Sequence, residues 1–337
     1  MRKLFILLCL LMGMAQFNLF AENCDHYCWD CIDWCEGWNV HADWIYWTPR
    51  KCALDYSIDV DSSDEPKGKL HGVDPSYTSG FRVGVLKCLC DWDLGVHYTY
   101  LRTCDKDSVE NAAGDMAGTL IGGDAKTVAV GDLRFAEGKY KVDLDVVDIE
   151  FGRGWQAWCD SWVRFFGGVK LAFIDQKLGG IYRDLDSESP EADFYKGCVD
   201  MNAYGLYVGT ECLHDICSIC NCGQLGIFGN ISMGALVGCF DRKVRVDTLT
   251  DNIINIKENN SHCLVGNVNL SAGFSYSLPD CMCGNWMLCI GYEMHLWLNT
   301  IDFLTINQNN NENEFDPSRN TDAVGFDGLF VRASVCF

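Results

Sequence analysis

The chain has 337 residues, among them 21 cysteines, with 47 acidic against 26 basic side chains and a formal net charge of −21. That balance excludes a basic nucleic-acid-binding surface. The length suffices to bury an ordinary core without staples, so the cysteines need another explanation.

In chain order, the first element is a short apolar stretch, residues 4–14, preceded by Arg2 and Lys3 and followed by Phe17 to Ala21, where a small residue can sit before a cut. This reads as a secretory signal peptide over 1–21. Gln16 and Asn18 make it too short for a retained anchor. Its removal takes away two cations and no anions, moving the charge from −21 to −23, and leaves 20 of the 21 cysteines. That many thiols in an exported chain imply disulfide chemistry. Residues 22–37 form a cysteine-rich N-terminal segment carrying Cys24, Cys28, Cys31 and Cys35. No later apolar run escapes interruption by Asp, Asn, Gly or Lys for long, so any passage through a membrane must be made by a closed barrel.

Ten segments then carry the period-two pattern of strands: 38–47, 79–88, 92–102, 139–153, 162–177, 198–212, 223–240, 263–277, 286–299 and 327–337. Weaker strands near 52–60 or 179–186 would raise the count to twelve. In 139–153, Tyr140, Val142, Leu144 and Val146 share one face, followed by Val147, Ile149 and Phe151; a bulge at Val146-Val147 is expected to keep them all outside. Alternation is clearest in 286–299, with Trp286, Leu288, Ile290, Tyr292, Met294, Leu296 and Leu298 on one face and Cys289, Glu293, His295, Trp297 and Asn299 on the other. In 263–277, Leu264, Val268, Leu270, Ala272, Phe274 and Tyr276 oppose Asn267, Asn269, Ser271 and Ser275. The last strand sets Leu329, Val331, Ala333, Val335 and Phe337 against Phe330, Arg332, Ser334 and Cys336. One apolar and one polar face suit a wall with lipid outside and water inside.

The connections alternate between long and short, as in barrels with long outer loops and short periplasmic turns, and the long ones are acidic and Asn/Ser/Gly-rich. Both ends of the strand array then fall on the periplasmic side. Trp38, Trp44, Tyr46, Trp47, Trp92, Tyr98, Tyr100, Trp155, Trp158, Trp162, Trp286 and Trp297 collect near strand ends, where interfacial girdles are expected. The fold class is therefore all-β: an antiparallel transmembrane barrel of ten to twelve strands over 38–337, with the terminal Phe337 as its assembly signal.

Several segments together resemble the Legionella-type major outer membrane protein family and its cysteine-rich branch in chlamydia-like bacteria. They are Ala42-Asp-Trp-Ile-Tyr-Trp47, Gly80-Phe-Arg-Val-Gly84, Asp91-Trp-Asp-Leu-Gly-Val-His-Tyr-Thr-Tyr-Leu101, Leu144-Asp-Val-Val-Asp-Ile-Glu-Phe-Gly152, Ile290-Gly-Tyr-Glu293 and the terminal strand. The resemblance implies a porin of the bacterial outer membrane, and the chain is read as a general diffusion porin for ions and small polar solutes.

On the face assigned to the interior, Asp43, Arg82, His97, Asp143, Asp145, Glu150, Arg164, Lys170, Glu293, His295 and Arg332 are pore-lining candidates that would select ions and small polar solutes. The opposite outcome is that they pair across a narrow lumen and plug it, leaving a structural or adhesive barrel. Fourteen cysteines fall at the periplasmic end: Cys24, Cys28, Cys31, Cys35, Cys88, Cys90, Cys159, Cys212, Cys217, Cys220, Cys222, Cys281, Cys283 and Cys336. Cys88-Leu-Cys90 and Cys281-Met-Cys283 are spaced too tightly to bridge internally, so each thiol seeks another partner. A disulfide-linked homo-oligomer or cysteine-rich envelope proteins are the expected partners besides the lipid bilayer. Cys28-Trp-Asp-Cys31 and Cys217-Ser-Ile-Cys220 have zinc-like spacing, but in an oxidising compartment disulfides outcompete metal thiolates, and a redox CxxC lacks its βαβ setting. No cofactor motif stands out. For an enzyme, the acid-base material would be His97, His295, Asp43 and Glu293 with His214-Asp215, and no nucleophile motif accompanies it.

Overall fold

The computed structural model describes residues 37–60, 66–89, 92–111, 116–120, 133–158, 160–183, 192–219, 223–247, 253–281, 284–303, 305–308, 315–318 and 321–337. Fifteen strands occur in them: β1 (Trp38–Arg50), β2 (Asp55–Val60), β3 (Pro66–Gly72), β4 (Thr78–Leu89), β5 (Trp92–Glu110), β6 (Met116–Gly118), β7 (Phe135–Trp158), β8 (Ser161–Arg183), β9 (Asp193–Ile219), β10 (Gly223–Asp247), β11 (Ile253–Cys281), β12 (Gly284–Ile301), β13 (Thr305–Gln308), β14 (Phe315–Ser318) and β15 (Thr321–Cys336). Ten of them close into an antiparallel barrel in the order β1-β15-β12-β11-β10-β9-β8-β7-β5-β4, and β4 pairs back onto β1. Closure reaches the last residue, where the Trp38 amide donates to the Phe337 carbonyl at 2.8 Å and the Phe337 amide to Trp38 at 3.0 Å. No edge is left to seek a partner in hydrocarbon.

The two weak segments do not add wall strands. Residues 55–60 form β2, which joins β3 and β6 in a separate three-stranded sheet, and 179–183 simply prolong β8. Several strands run well past the roughly 9–11 residues that span a bilayer; β9 has 27 residues and β11 has 29. Much of the sequence expected as long outer loops is thus an extension of the wall.

The outer surface carries a continuous apolar band. Tyr204, Leu206 and Val208 on β9, Leu288, Ile290 and Met294 on β12, and Leu329 and Val331 on β15 are all exposed. The tryptophan-rich edge of this band, with Trp92, Trp155, Trp158 and Trp286 exposed, lies toward the short turns. Trp47 and Trp297 are instead buried inside, and Trp162 also lines the interior, so these three leave the expected girdle.

Two expectations about register are corrected. The bulge at Val146-Val147 is absent: Val146 pairs with Ala172 and Val147 with Leu171 without a shift. Tyr140, Val142, Leu144 and Val146 therefore face inward, while Val147, Ile149 and Phe151 face lipid. In β12 the register shifts between Trp297 and Thr300, with Asn299 at φ 59°. That bulge turns Asn299 to the outside, where its side-chain amide donates to the Leu264 carbonyl at 2.6 Å.

Leu206 is 69% exposed in the middle of the band. Leu206→Arg is expected to destabilise the barrel by about 2–4 kcal/mol, the cost of a cation at the bilayer midplane. Urea unfolding in lipid vesicles checks it; an unchanged midpoint would mean that this face does not meet hydrocarbon.

Candidate functional site

Because strand side chains alternate, every second residue of ten strands points into the barrel, and the wall's chemistry changes with depth. At the short-turn end lies a cavity of about 180 Å³ lined by Asn39, His41, Leu86, Trp162 and Ser334, together with Cys88, Cys289 and Cys336. Deeper in, a cavity of about 140 Å³ is lined by Lys170, Tyr207, Asn230, Ser232 and Asn269. His97, Glu150, Arg164, Glu211 and Arg332 belong to both walls.

Two ion-pair networks flank these cavities. In the first, Asp43 accepts from Arg332 through Nε and Nη2 at 2.9 Å each and from Arg82 at 3.0 Å. Arg82 also donates to Glu293 at 3.1 Å and to Thr99 at 3.0 Å, and His295 sits 3.3 Å from Glu293. In the second, Arg164 donates to Asp93 at 2.8 Å and to Glu150 at 2.7 Å, with Glu211 at 3.7 Å. His97 meets Glu150 at 3.1 Å, and Lys170 pairs with Asp148 at 2.6 Å. The rings of His41 and His97 approach to 3.3 Å between the networks. Charges withdrawn from bulk water are tolerable only when paired and hydrogen-bonded in this way.

Beyond this belt, toward the long-loop end, the interior is filled mainly by apolar side chains, with Arg242 buried among them and paired to Glu258. Ile45 and Trp47 on β1, Leu101 on β5, Tyr140 and Val142 on β7, Ala172 on β8, Met201 on β9, Leu236 and Phe240 on β10, Val265 on β11, Trp297 on β12 and Phe326 on β15 are all at most 1% exposed. Nine of the ten wall strands contribute to this layer of buried side chains. Tyr140 Oη satisfies itself on Gln176 at 2.8 Å. The β2-β3-β6 sheet caps the plug, with Tyr56 and Met116 in the same core and Tyr182 Oη donating to the Tyr56 carbonyl at 2.7 Å.

Nine sequence-predicted interior residues do face the interior: Asp43, Arg82, His97, Glu150, Arg164, Lys170, Glu293, His295 and Arg332. Asp143 and Asp145 do not. They sit on the outer wall just beyond the apolar band, where Asp143 accepts from Arg102 at 2.6 Å and Asp145 from Tyr98 Oη at 2.5 Å. Three network members were not anticipated: Asp93, Asp148 and Glu211. Asp148 shares the parity of Glu150, and an unbroken register through β7 would have revealed it.

Of the enzyme-type groups, Asp43, Glu293 and His295 share the first network. His97 and His295 belong to different networks, and His214, on the outer face, has its Nδ1 2.8 Å from Ser161 Oγ. Of the cysteines, Cys212 and Cys217 are exposed at the short-turn end, Cys289 is buried inward and Cys336 is disulfide-bonded. Cys24, Cys28, Cys31, Cys35, Cys90, Cys159, Cys220, Cys222 and Cys283 lie outside the described residues, as does the side chain of Cys281. The signal-peptide region is outside them too.

Asp43→Ala would leave the half-buried Arg332 without its bidentate partner while Arg82 keeps Glu293, and the expected loss is about 3 kcal/mol. Adding Arg332→Met should recover part of it. Unfolding midpoints of the single and double variants check this coupling; additive effects would contradict it.

Compared with known proteins, residues 33–337 match the family described as Legionella pneumophila major outer membrane protein precursor. No curated protein matches the sequence. Among solved structures, the outer membrane protease OmpT of Escherichia coli aligns with a TM-score of 0.46 and 9% identity, covering 91% of this chain and 99% of its own. The translocator domain of the autotransporter NalP of Neisseria meningitidis aligns at 0.33 and 11%, covering 97% and 95%. The toluene transporter TodX of Pseudomonas putida aligns at 0.26 and 8%, covering 91% of each.

Proposed function

The chain belongs to the Legionella major outer membrane protein family and is a β-barrel of the outer membrane, and from that premise we propose that it is a pore-forming protein whose resting state is closed. The observation that carries this reading is the division of the lumen by depth. A charged, cavity-bearing half faces the short turns, and a dry apolar plug fills the half toward the long loops. Buried ion pairs are costly ornaments for a purely structural cylinder, which apolar packing would serve as well. Placed beside cavities, they can set the potential felt by permeating ions and small polar solutes.

The plug is built of side chains and a small loop sheet, so opening requires only that this layer move while the hydrogen-bonded wall stays intact. A second reading, a structural or adhesive barrel that never conducts, is favoured by the completeness of the dry layer. Conductance separates the two. In planar bilayers the natural protein should be almost silent, and Trp47→Gly with Trp297→Gly should produce discrete steps. Sustained steps from the natural protein would contradict the closed state, and silence from the folded double variant would support the structural reading.

Once open, the belt carries Arg82, Arg164, Lys170 and Arg332 against Asp43, Asp93, Asp148, Glu150, Glu211 and Glu293. Four cations against six carboxylates favour weak cation selectivity; a reversal potential of the opposite sign would refute it.

We also propose that the periplasmic rim carries disulfides that join copies of the chain to one another or to cysteine-rich envelope proteins. Exposed Cys212 and Cys217 at that end support it. Non-reducing electrophoresis of native envelopes should show reducible ladders, and monomer alone would count against cross-linking. This reading assigns no catalysis, and among the described residues His97, His295, Asp43 and Glu293 do not converge on a nucleophile.

A further inference from the structure

We propose that the outer wall of β7–β10, just beyond the apolar band, binds the phosphate groups of the outer leaflet's phosphorylated glycolipid, lipopolysaccharide. The chain carries a net charge of −21, yet its cations gather here in two rows. In the lower row, Lys141 lies directly opposite Lys177, Lys177 opposite Cys198, Cys198 opposite Lys243 and Lys243 opposite Lys257. Two residues farther from the membrane, Lys106 is opposite Lys139, Lys139 opposite Gly179, Gly179 opposite Lys196 and Lys196 opposite Arg245.

Like charges placed directly across a ladder destabilise it unless something intervenes. Some of these cations have protein partners: Lys106 pairs with Glu137 at 2.7 Å, Lys141 with Asp143 at 2.9 Å and Arg245 with Asp247 at 2.9 Å. Lys139, Lys177, Lys196, Lys243 and Lys257 are exposed and make no ion pair among the described residues. No described carboxylate pairs with these five, which leaves them open to anions from outside the chain.

Depth identifies the source. On the membrane side of the lower row comes a row of carboxylates, Asp143, Asp175, Asp200 and Asp241, each directly opposite the next. Next comes a mixed level of Asp145, Phe173, Asn202 and Cys239, and below it the wall is apolar, with Leu171 and Val169 on β8 and Tyr204 and Leu206 on β9. A lipid whose acyl chains lie on that surface directs its head group toward the two rows. Clustered basic residues at this height attract anionic lipid, each contributing about a fivefold change in binding before salt screening. Because the rows stand at the long-loop end, the leaflet is the outer one, where phosphorylated glycolipid is the anionic component.

The full chain, folded in detergent, is incubated with lipopolysaccharide, passed over a sizing column and assayed for co-eluting lipid phosphate. The natural protein should retain the lipid, and dephosphorylated lipopolysaccharide should be retained about tenfold less. The triple change Lys177→Gln, Lys196→Gln and Lys243→Gln should lower retention by about tenfold or more, whereas Lys87→Gln, which alters a lysine at the short-turn end, should not. Heat-dependent electrophoretic migration reports whether each variant is folded. Should the triple variant fail to fold, Lys196→Gln alone should still reduce retention several-fold, about the effect of one cation. Equal retention by the variants, or equal retention of the dephosphorylated lipid or of phosphatidylglycerol, would overturn the proposal.

Discussion

Everything in this molecule depends on one backbone condition: β1 is hydrogen-bonded on both sides, to β15 and to β4, so the ten-stranded ladder has no open edge. In hydrocarbon an unpaired amide has no water to turn to, and only closure satisfies the whole wall. Once the ring is closed, the period of two sorts side chains into lipid-facing and lumen-facing sets without exception along a regular strand. Interior charges, dry plug and exterior cation rows are then matters of parity and height.

The interior combines two solutions to a narrow lumen. Half of it is filled as a soluble core is filled, by interlocking aromatic and aliphatic side chains such as Trp47, Phe240, Trp297 and Phe326. The other half keeps its charges by pairing them, with Asp43 and Glu150 each meeting an arginine across a strand boundary. The two solutions meet at Arg82 and Trp47, whose guanidinium and ring lie 5.5 Å apart, and the proposed pore would have its gate there.

Strand number, ring order and most parities were legible in the sequence because alternation is a direct consequence of strand geometry. β12 shows it best, where Leu288, Ile290 and Met294 fell outside and Glu293 inside as read. β7 failed for a definite reason. Its inward residues Tyr140, Val142, Leu144 and Val146 are apolar because they belong to the plug, and the rule that equates apolar with lipid-facing then demands a bulge that does not exist. The same rule wrongly drew Asp143 and Asp145 inside, although on the outer wall they meet Arg102 and Tyr98. Asn299 was lost to a local bulge with a positive φ, for which Asn is a suitable residue but not a sufficient signal.

The central claim, that hydrocarbon bathes the outer face while the outer half of the lumen is dry, can be tested residue by residue. Nitroxide side chains placed one at a time along β12 from residue 286 to 298 report collisions with oxygen, which concentrates in lipid, and with a water-soluble nickel chelate. Oxygen contact is expected to alternate, high at Leu288, Ile290, Tyr292 and Met294, with the position of Trp297 reached by neither reagent. Free access of the nickel chelate to position 297, or oxygen contact with no alternation, would contradict the account.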